Sequence, residues 1–385
     1  MKKNVVWLYP KLEKWMGGTK FVLECCKLLN IRYNLIVICQ KSKPEIKNEF
    51  KEKGIKIVDL NSKSFTDTIF WLSLNQILKE DYLKIKALIR DDTIIIHAMF
   101  PMNLIASRFT NKNIQIVYEP FAFFFDKNYL KSFGYFPYFF FRFMKLIYAQ
   151  KDIKATKNSD VILTLSHFEK GNIEKVYGCD ANVIYEGVDK NYFYPRDTTE
   201  LKNKYKDYIP LMHSTGFDSF KGTDLVIKSL PLLKEKIGNF KLFITYTREN
   251  KKKLKEYRKF IQNNELGKNV EFLGLLPLEE LTKIYSFAKI YIEPGIHRSM
   301  SLSNKEALAC GTPVIRGNDS SEEIINGYNG ILVDPKSTLA LVDAITRILN
   351  DENEYTKLKA NALFSIQEKF TWSKVVEKII HHIED

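Results

Sequence analysis

Two trains of short apolar runs, set between stretches with helical spacing, most constrain what this chain can fold into. In the first train, Asn4 to Tyr9, Asn34 to Cys39, Ile55 to Leu60, Thr93 to His97, Ile114 to Tyr118 and Asp160 to Leu165 read as strands. Between them lie segments such as Thr19 to Leu29, whose apolar residues recur at helical spacing, and Pro44 to Lys53, a polar helix ended by Gly54. Ser166 and Glu169 form a capping box that opens a helix running to about Tyr177. The second train starts at Pro210 to Thr215 and continues through Phe240 to Thr245, Val270 to Leu273, Ile290 to Glu293, Pro313 to Ile315 and Gly330 to Val333. Strands that alternate with helices in this way build parallel βαβ units. The fold class is therefore α/β. Ile184 to Asp189, followed by Tyr192 to Pro195, marks the linker. The expected divisions are residues 1–190, 191–365 and a terminal segment 366–385.

At 385 residues the chain can hold two domains with separate cores. Its five cysteines are odd in number and lack metal-ligand spacing, which fits reduced, buried thiols in a cytoplasm. The start Met1-Lys-Lys leads straight into Asn4 to Pro10, too short for a signal-peptide core. No window reaches about 18 uncharged apolar residues, so no membrane span is expected. The net charge of +13 calls for a partner, and on charge alone nucleic acid, anionic lipid and a phosphorylated substrate all qualify.

Chemistry concentrates between Gly295 and Ile315. Pro294-Gly295 ends a strand, a serine-rich segment follows, and a helix carrying Glu306 closes at Gly311 with Pro313 beyond it. Ser301 and Ser303 are candidate N-caps. The open N–H groups and the dipole at such a helix start suit a diphosphate, with the amides near Ser301, Leu302 and Ser303 as donors. Glu306, about one turn inside, is placed to accept hydrogen bonds from a ribose diol. One strand–helix unit earlier, Gly216 to Gly222 carries Lys221 at a helix start, where a cation and amide donors stabilise a departing diphosphate. An isolated Lys-Gly is more often a surface lysine. Its placement ahead of Glu306 favours the site. Gly17-Gly18, alone a plain turn, lets backbone approach a ligand closely.

Glu306-Ala-Leu-Ala-Cys-Gly-Thr-Pro-Val-Ile315, then Asn326-Gly-Tyr-Asn-Gly330 to Pro335, resembles the donor-site signature of retaining, nucleotide-sugar-dependent glycosyltransferases of family 4 (glycosyl transferases group 1). The resemblance covers nearly the whole chain and is most specific over residues 210–335. It implies the GT-B fold, two Rossmann-like parallel-sheet domains facing a cleft, with the segment 366–385 packing back on the N-terminal domain. It implies that Glu306 binds the nucleotide ribose and Lys221 the diphosphate, and it makes Gly17 and Gly18 neighbours of the donor phosphates or the acceptor. The family's arginine near Lys221 corresponds to Phe217 or is absent. Its second glutamate, eight positions before Glu306, corresponds to Arg298.

Arg298 faces the expected phosphate site, where a guanidinium substitutes for the missing charge. His297 adjoins it. Glu119 follows a strand where many relatives carry an active-site histidine, and as a carboxylate it binds hydroxyls or takes the acceptor's proton. Arg298, His297 and Glu119 are thus the catalytic candidates. His97, ending a strand, reads as a buried, hydrogen-bonded histidine. No Asp-x-Asp, His-Glu-x-x-His or paired-Cys motif is present, so neither a metal nor a resident cofactor is expected. By resemblance, the reaction is transfer of a hexose from a nucleoside-diphosphate sugar, with retention, to a lipid-linked or polysaccharide acceptor. The alternative is a non-catalytic sugar-nucleotide-binding or partner subunit. A nucleic-acid partner rests on charge alone and is not expected.

One stretch stands apart. Half of residues 121–148 are aromatic, against 13% of the chain, and Asp126 to Lys157 carries net +5. Part of it must be core. The remainder suits the interface of an anionic bilayer, so a peripheral contact with the cytoplasmic membrane face is expected.

Overall fold

The computed structural model describes residues 2–14, 17–63, 68–131, 135–215, 217, 221–246, 250–295, 301–318 and 322–385. They form two compact units, Met1–Glu186 with Trp372–Asp385, and Gly187–Thr371.

Unit 1 is built on seven parallel strands. In chain order they are Asn4–Leu12 (β1), Asn34–Ser42 (β2), Lys56–Asp59 (β3), Ile94–His97 (β4), Asn113–Val117 (β5), Val161–Thr164 (β6) and Asn182–Val183 (β7). Their order across the sheet is β3-β2-β1-β4-β5-β6-β7. The central strand β1 is apolar on both faces because helices cover both. Val5 and Trp7 face a core that contains Phe21 and Leu29 of helix Gly17–Arg32. Val6 and Leu8 face another, which contains Trp71, Phe100 and Phe124. Helix Trp372–Glu384 closes the first of these cores with Val375, Val376, Ile379 and Ile383, a helical stripe, and Trp372 meets the Phe21 ring edge-on at 5.5 Å. Ser166 caps helix His167–Tyr177 by accepting the Glu169 N–H at 3.1 Å, and Gly178 ends it at φ 65°. That is the sequence's start signal realised.

Unit 2 repeats the plan with six parallel strands: Ile209–Thr215 (β8), Phe240–Tyr246 (β9), Val270–Gly274 (β10), Ile290–Glu293 (β11), Val314–Gly317 (β12) and Gly330–Val333 (β13). The order is β10-β9-β8-β11-β12-β13. The chain runs outward from β8 to β10, then returns to β11 on the other flank of β8. This reversal between β8 and β11 is a topological switch point, where loops leaving the carboxyl ends of neighbouring strands part and open a crevice. Unit 1 has its own between β1 and β4. Strand boundaries fall within two residues of the sequence reading, except that β1 and β2 each run three residues further, to Leu12 and Ser42. The two-residue β7 escaped that reading because it carries too few side chains to show a period.

The aromatic stretch divides. Phe121, Phe124 and Tyr148 are buried, and Phe123, Phe140 and Phe141 pack partly against the core. Tyr135, Phe136, Phe139 and Phe143 are exposed. Phe133 lies outside the described residues. Cys25, Cys26, Cys39 and Cys310 are buried, Cys179 is half-buried, and all five are free. Burial raises the thiols, Cys310 to about 12. Among the described residues no helix is long and apolar enough to cross a membrane.

Candidate functional site

At the switch point of unit 2, backbones approach closely enough to exclude side chains. Gly222, at φ 74°, lies against the Pro294–Gly295 peptide: a Cβ there would stand 2.5 Å from the Gly295 nitrogen. Gly317 closes on the same peptide from the β12 side, where a Cβ would collide with the Pro294 and Gly295 carbonyl oxygens. Glycine permits both contacts. The result draws the ends of β8, β11 and β12 together.

His213 ties the same ends from beneath. It is fully buried in β8, with Nδ1 2.7 Å from the Ile292 carbonyl and Nε2 2.9 Å from Thr223 Oγ1. Because a carbonyl only accepts, Nδ1 carries the proton and Nε2 accepts from Thr223. Thr223 then accepts from Thr215 at 2.5 Å, and Thr215 accepts the Phe217 N–H at 2.8 Å. Burial lowers the His213 pKa to about 4, so the ring is neutral at neutral pH.

Above this runs a string of charges. Lys221 Nζ lies 2.7 Å from Glu293 Oε2 and donates to Ser301 Oγ at 3.3 Å. Glu293 ends β11 almost fully buried, accepts from the Tyr291 hydroxyl at 3.1 Å, and meets Arg316 Nη1 at 3.3 Å. Arg316 Nη1 lies 3.0 Å from Glu323 Oε1. That oxygen also accepts the Ser301 N–H and the Asn304 amide, each at 3.0 Å. Cations and carboxylates alternate, so each buried charge has an opposite neighbour, which makes their desolvation tolerable. Glu323 Oε2 and Asn304 Oδ1 are buried with no hydrogen-bond partner. Lys221 is the open end, its side chain 17% exposed.

Helix Leu302–Ala309 starts at this string. Ser301 is its N-cap residue, but its hydroxyl takes no cap hydrogen bond. The Glu323 carboxylate sits at the helix start instead. Glu306, one turn inside and 9% exposed, accepts from the Tyr285 hydroxyl at 3.3 Å. Ser303 hydrogen-bonds both Tyr285 and Tyr291, whose phenols burial pushes far above their ordinary range. Gly311 ends the segment at φ 77°.

Of the residues singled out from the sequence, Lys221, Ser301, Leu302, Ser303 and Glu306 thus gather around one helix start in unit 2. His297 and Arg298 lie outside the described residues. Phe217 is a packing residue, 5.2 Å from the Tyr246 ring and stacked on Tyr257. Gly17, Gly18 and Glu119 belong to unit 1. Gly18 packs so closely on the Tyr9 hydroxyl, with Tyr118 beyond, that a Cβ there would collide with it. Glu119 is exposed, and its charge helps raise the Tyr129 phenol, after burial. His97 is buried, with Nε2 3.4 Å from Asn113 Oδ1, and burial lowers its pKa to about 4.

Sequence reasoning missed Arg316, Glu323, Asn304 and the roles of Glu293 and His213. The available signal was a charge at the end of each of two apolar strands, because a buried charge needs a partner. Among the described residues no group of three ligating side chains stands close enough to hold a metal ion.

Comparison with known proteins fits this geometry. Residues 198–363, which hold the whole string, match the family model described as glycosyl transferases group 1. An uncharacterised glycosyltransferase of Methanocaldococcus jannaschii is 28% identical over 236 residues, 60% of this chain and 62% of that protein. A probable sucrose-phosphate synthase of Thermosipho melanesiensis is 30% identical over 213 residues, 52% of this chain and 47% of that protein. The chain thus spans less than two thirds of the length of these curated relatives. Among solved structures, Anabaena HepE in complex with UDP superposes with a TM-score of 0.79 at 14% identity, over 99% of both chains. The fold is GT-B, two parallel-sheet α/β units.

Proposed function

We propose that this chain is a glycosyltransferase that takes a hexose from a nucleoside-diphosphate sugar and passes it, with retention, to a lipid-linked or polysaccharide acceptor. The observation that carries the reading is the position of Lys221. Its ammonium reaches Ser301 at the N-terminus of helix Leu302–Ala309, with Glu306 one turn inside the same helix. A diphosphate set there meets the Lys221 charge and the first-turn N–H groups of Leu302 and Ser303, which have no acceptor within the helix. Glu306 then accepts from the ribose diol. In the transfer the bond between the anomeric carbon and the diphosphate oxygen breaks, and a bond from the anomeric carbon to the acceptor oxygen forms. Negative charge develops on the departing diphosphate, where Lys221 and the amides stabilise it. Protein cations do this work in the proposal, with no resident metal or cofactor. Arg298 and His297 are assigned to the sugar and phosphate, Glu119 to the acceptor hydroxyl and its proton, and Gly17-Gly18 to close backbone approach. The proposed setting is the cytoplasm.

Phe217 favours a second reading. The family's diphosphate arginine either corresponds to Phe217, whose ring packs on Tyr246 and Tyr257, or has no counterpart here. A subunit that binds sugar nucleotides without turning them over is therefore the competing assignment. A thermal-shift screen of nucleoside diphosphates and their sugars, followed by hydrolysis and transfer assays on the hits, separates the two. Stabilisation with turnover supports the enzyme, stabilisation without turnover the binding subunit. No stabilisation by any nucleotide refutes both.

A further inference from the structure

Helix Tyr135–Lys157 is apolar on two sides, and only one of them is covered. Met144, Tyr148 and Ala149 sink into the core, while Phe140 and Phe141 lean on Trp71 with ring centres 6.4 and 5.5 Å away. On the other side Tyr135, Phe136, Phe139, Phe143 and Leu146 are 87, 82, 63, 58 and 80% exposed. Positions 136, 139, 143 and 146 share one face of an α-helix. At about 200 Å² per ring the four aromatic side chains expose roughly 600 Å², the upper end for the largest apolar patch of a monomer.

The charge on the exposed side of this helix has one sign. Arg142 stands within it, its Nη1 donating to the Tyr138 hydroxyl at 3.2 Å. Lys145 Nζ lies 5.1 Å from the Phe125 ring centre, and Lys131 is exposed just before the helix. The helix carries a single carboxylate, Asp152, which is buried and accepts from Asn103 and Tyr177. The exposed side of the helix therefore offers cations and no anion.

We propose that this face docks on an anionic phospholipid bilayer, with the rings and Leu146 entering the headgroup boundary and Lys131, Arg142 and Lys145 meeting lipid phosphates. A second copy of the chain fits less well. Two such faces would oppose like charges, and roughly 600 Å² falls short of the ~800 Å² per partner of a standard interface. Nucleic acid would satisfy the cations but leave Leu146 and Ile147 without a partner. The inference stands apart from the donor-site reading, because none of its residues belongs to unit 2.

The test is co-sedimentation of the full chain with phosphatidylcholine vesicles, with and without phosphatidylglycerol, at low and high salt. Binding is expected only to the phosphatidylglycerol vesicles, with release at high salt. Phe136→Ser/Phe139→Ser/Phe143→Ser should weaken it about tenfold or more. Lys131→Gln/Arg142→Gln should weaken it by a similar factor. Nucleotide-induced thermal shifts should stay at wild-type size in both, which separates failure here from failure of the donor site. If the triple variant does not fold, the charge variant alone decides. Equal binding to both vesicle types, no binding, wild-type binding by a folded variant, or dimers in light scattering that the serine variant abolishes would each overturn the proposal.

Discussion

Glu293 and Arg316 are register partners on adjacent strands, and Arg316 Nη1 lies 3.3 Å from Glu293 Oε1 with both side chains no more than 1% exposed. A pair this deep needs further opposite charge or hydrogen bonds to offset its desolvation. Here Lys221 and Tyr291 also bind Glu293, and Glu323 meets the same Arg316 nitrogen that Glu293 does. The string is thus a scaffold with one open end: Glu293 and Arg316 tie neighbouring strand ends, Glu323 caps a helix start, and Lys221 is the proposed contact to the ligand.

Arg316→Met tests the scaffold half. It leaves Glu293 and Glu323 buried without their shared cation, a change that costs about 3–5 kcal/mol. Urea unfolding of the full chain should show the loss in the midpoint. A change below about 1 kcal/mol would mean that the array relaxes and the pair contributes little.

Lys221→Ala tests the ligand half. Glu293 keeps Arg316 and Tyr291, so the fold should lose little. Nucleoside-diphosphate affinity should fall roughly ten- to a hundredfold, the value of one charge-assisted contact. Titration calorimetry with a panel of nucleoside diphosphates reads this directly, and unchanged affinity would remove Lys221 from the site.

Glu306→Ala should weaken nucleotide binding through the ribose. A 2′-deoxy or 3′-deoxy donor should then lose less against the variant than against the wild type. Equal losses in both proteins would show that the carboxylate braces its helix through Tyr285 instead.

Acid should loosen unit 2 more than unit 1. Burial lowers His213 from 6.5 to about 4, so its contribution is complete above pH 6.5 and is lost as pH falls toward 4. Fully developed, that is about 3 kcal/mol. In unit 1 His97 behaves alike, from 6.5 to about 4. Asp152 opposes it: burial raises its carboxyl from 3.8 to about 6, so the folded state gains relative stability as pH drops through that window. Amide hydrogen exchange at pH 7 and pH 5 should therefore show a larger loss of protection across β8 and β11 than across β1 and β4. His213→Asn should flatten the difference, and equal losses in both units would contradict the assignment.

The fold was legible because buried parallel strands announce themselves as apolar runs and their helices by spacing. Lys221 and Glu306 were legible because they sit at fixed places beside helix starts. Arg316 was not, because a single arginine after Val314 and Ile315 looks like the polar end of a strand until a carboxylate is found across the ladder. Glu323 was hidden for a different reason: it caps the start of helix Leu302–Ala309 from a loop that lies later in the chain. Phe139 and Phe140 are neighbours in sequence, yet one faces solvent and the other leans on Trp71, a division that a run of rings without polar punctuation does not reveal.

The Pro294–Gly295 peptide, held between Gly222 and Gly317, sets a limit on how this protein can be varied. Neither flanking position admits even a methyl group without moving main chain, and Gly222 also needs its left-handed φ. In a saturation library, variants at 222 and 317 should be depleted whatever donor is used for selection, while the surface of helix Thr223–Ile237 should tolerate change. Changes in specificity for the proposed sugar donor would then have to be sought in side chains near this switch point, with the path of the backbone left as it is.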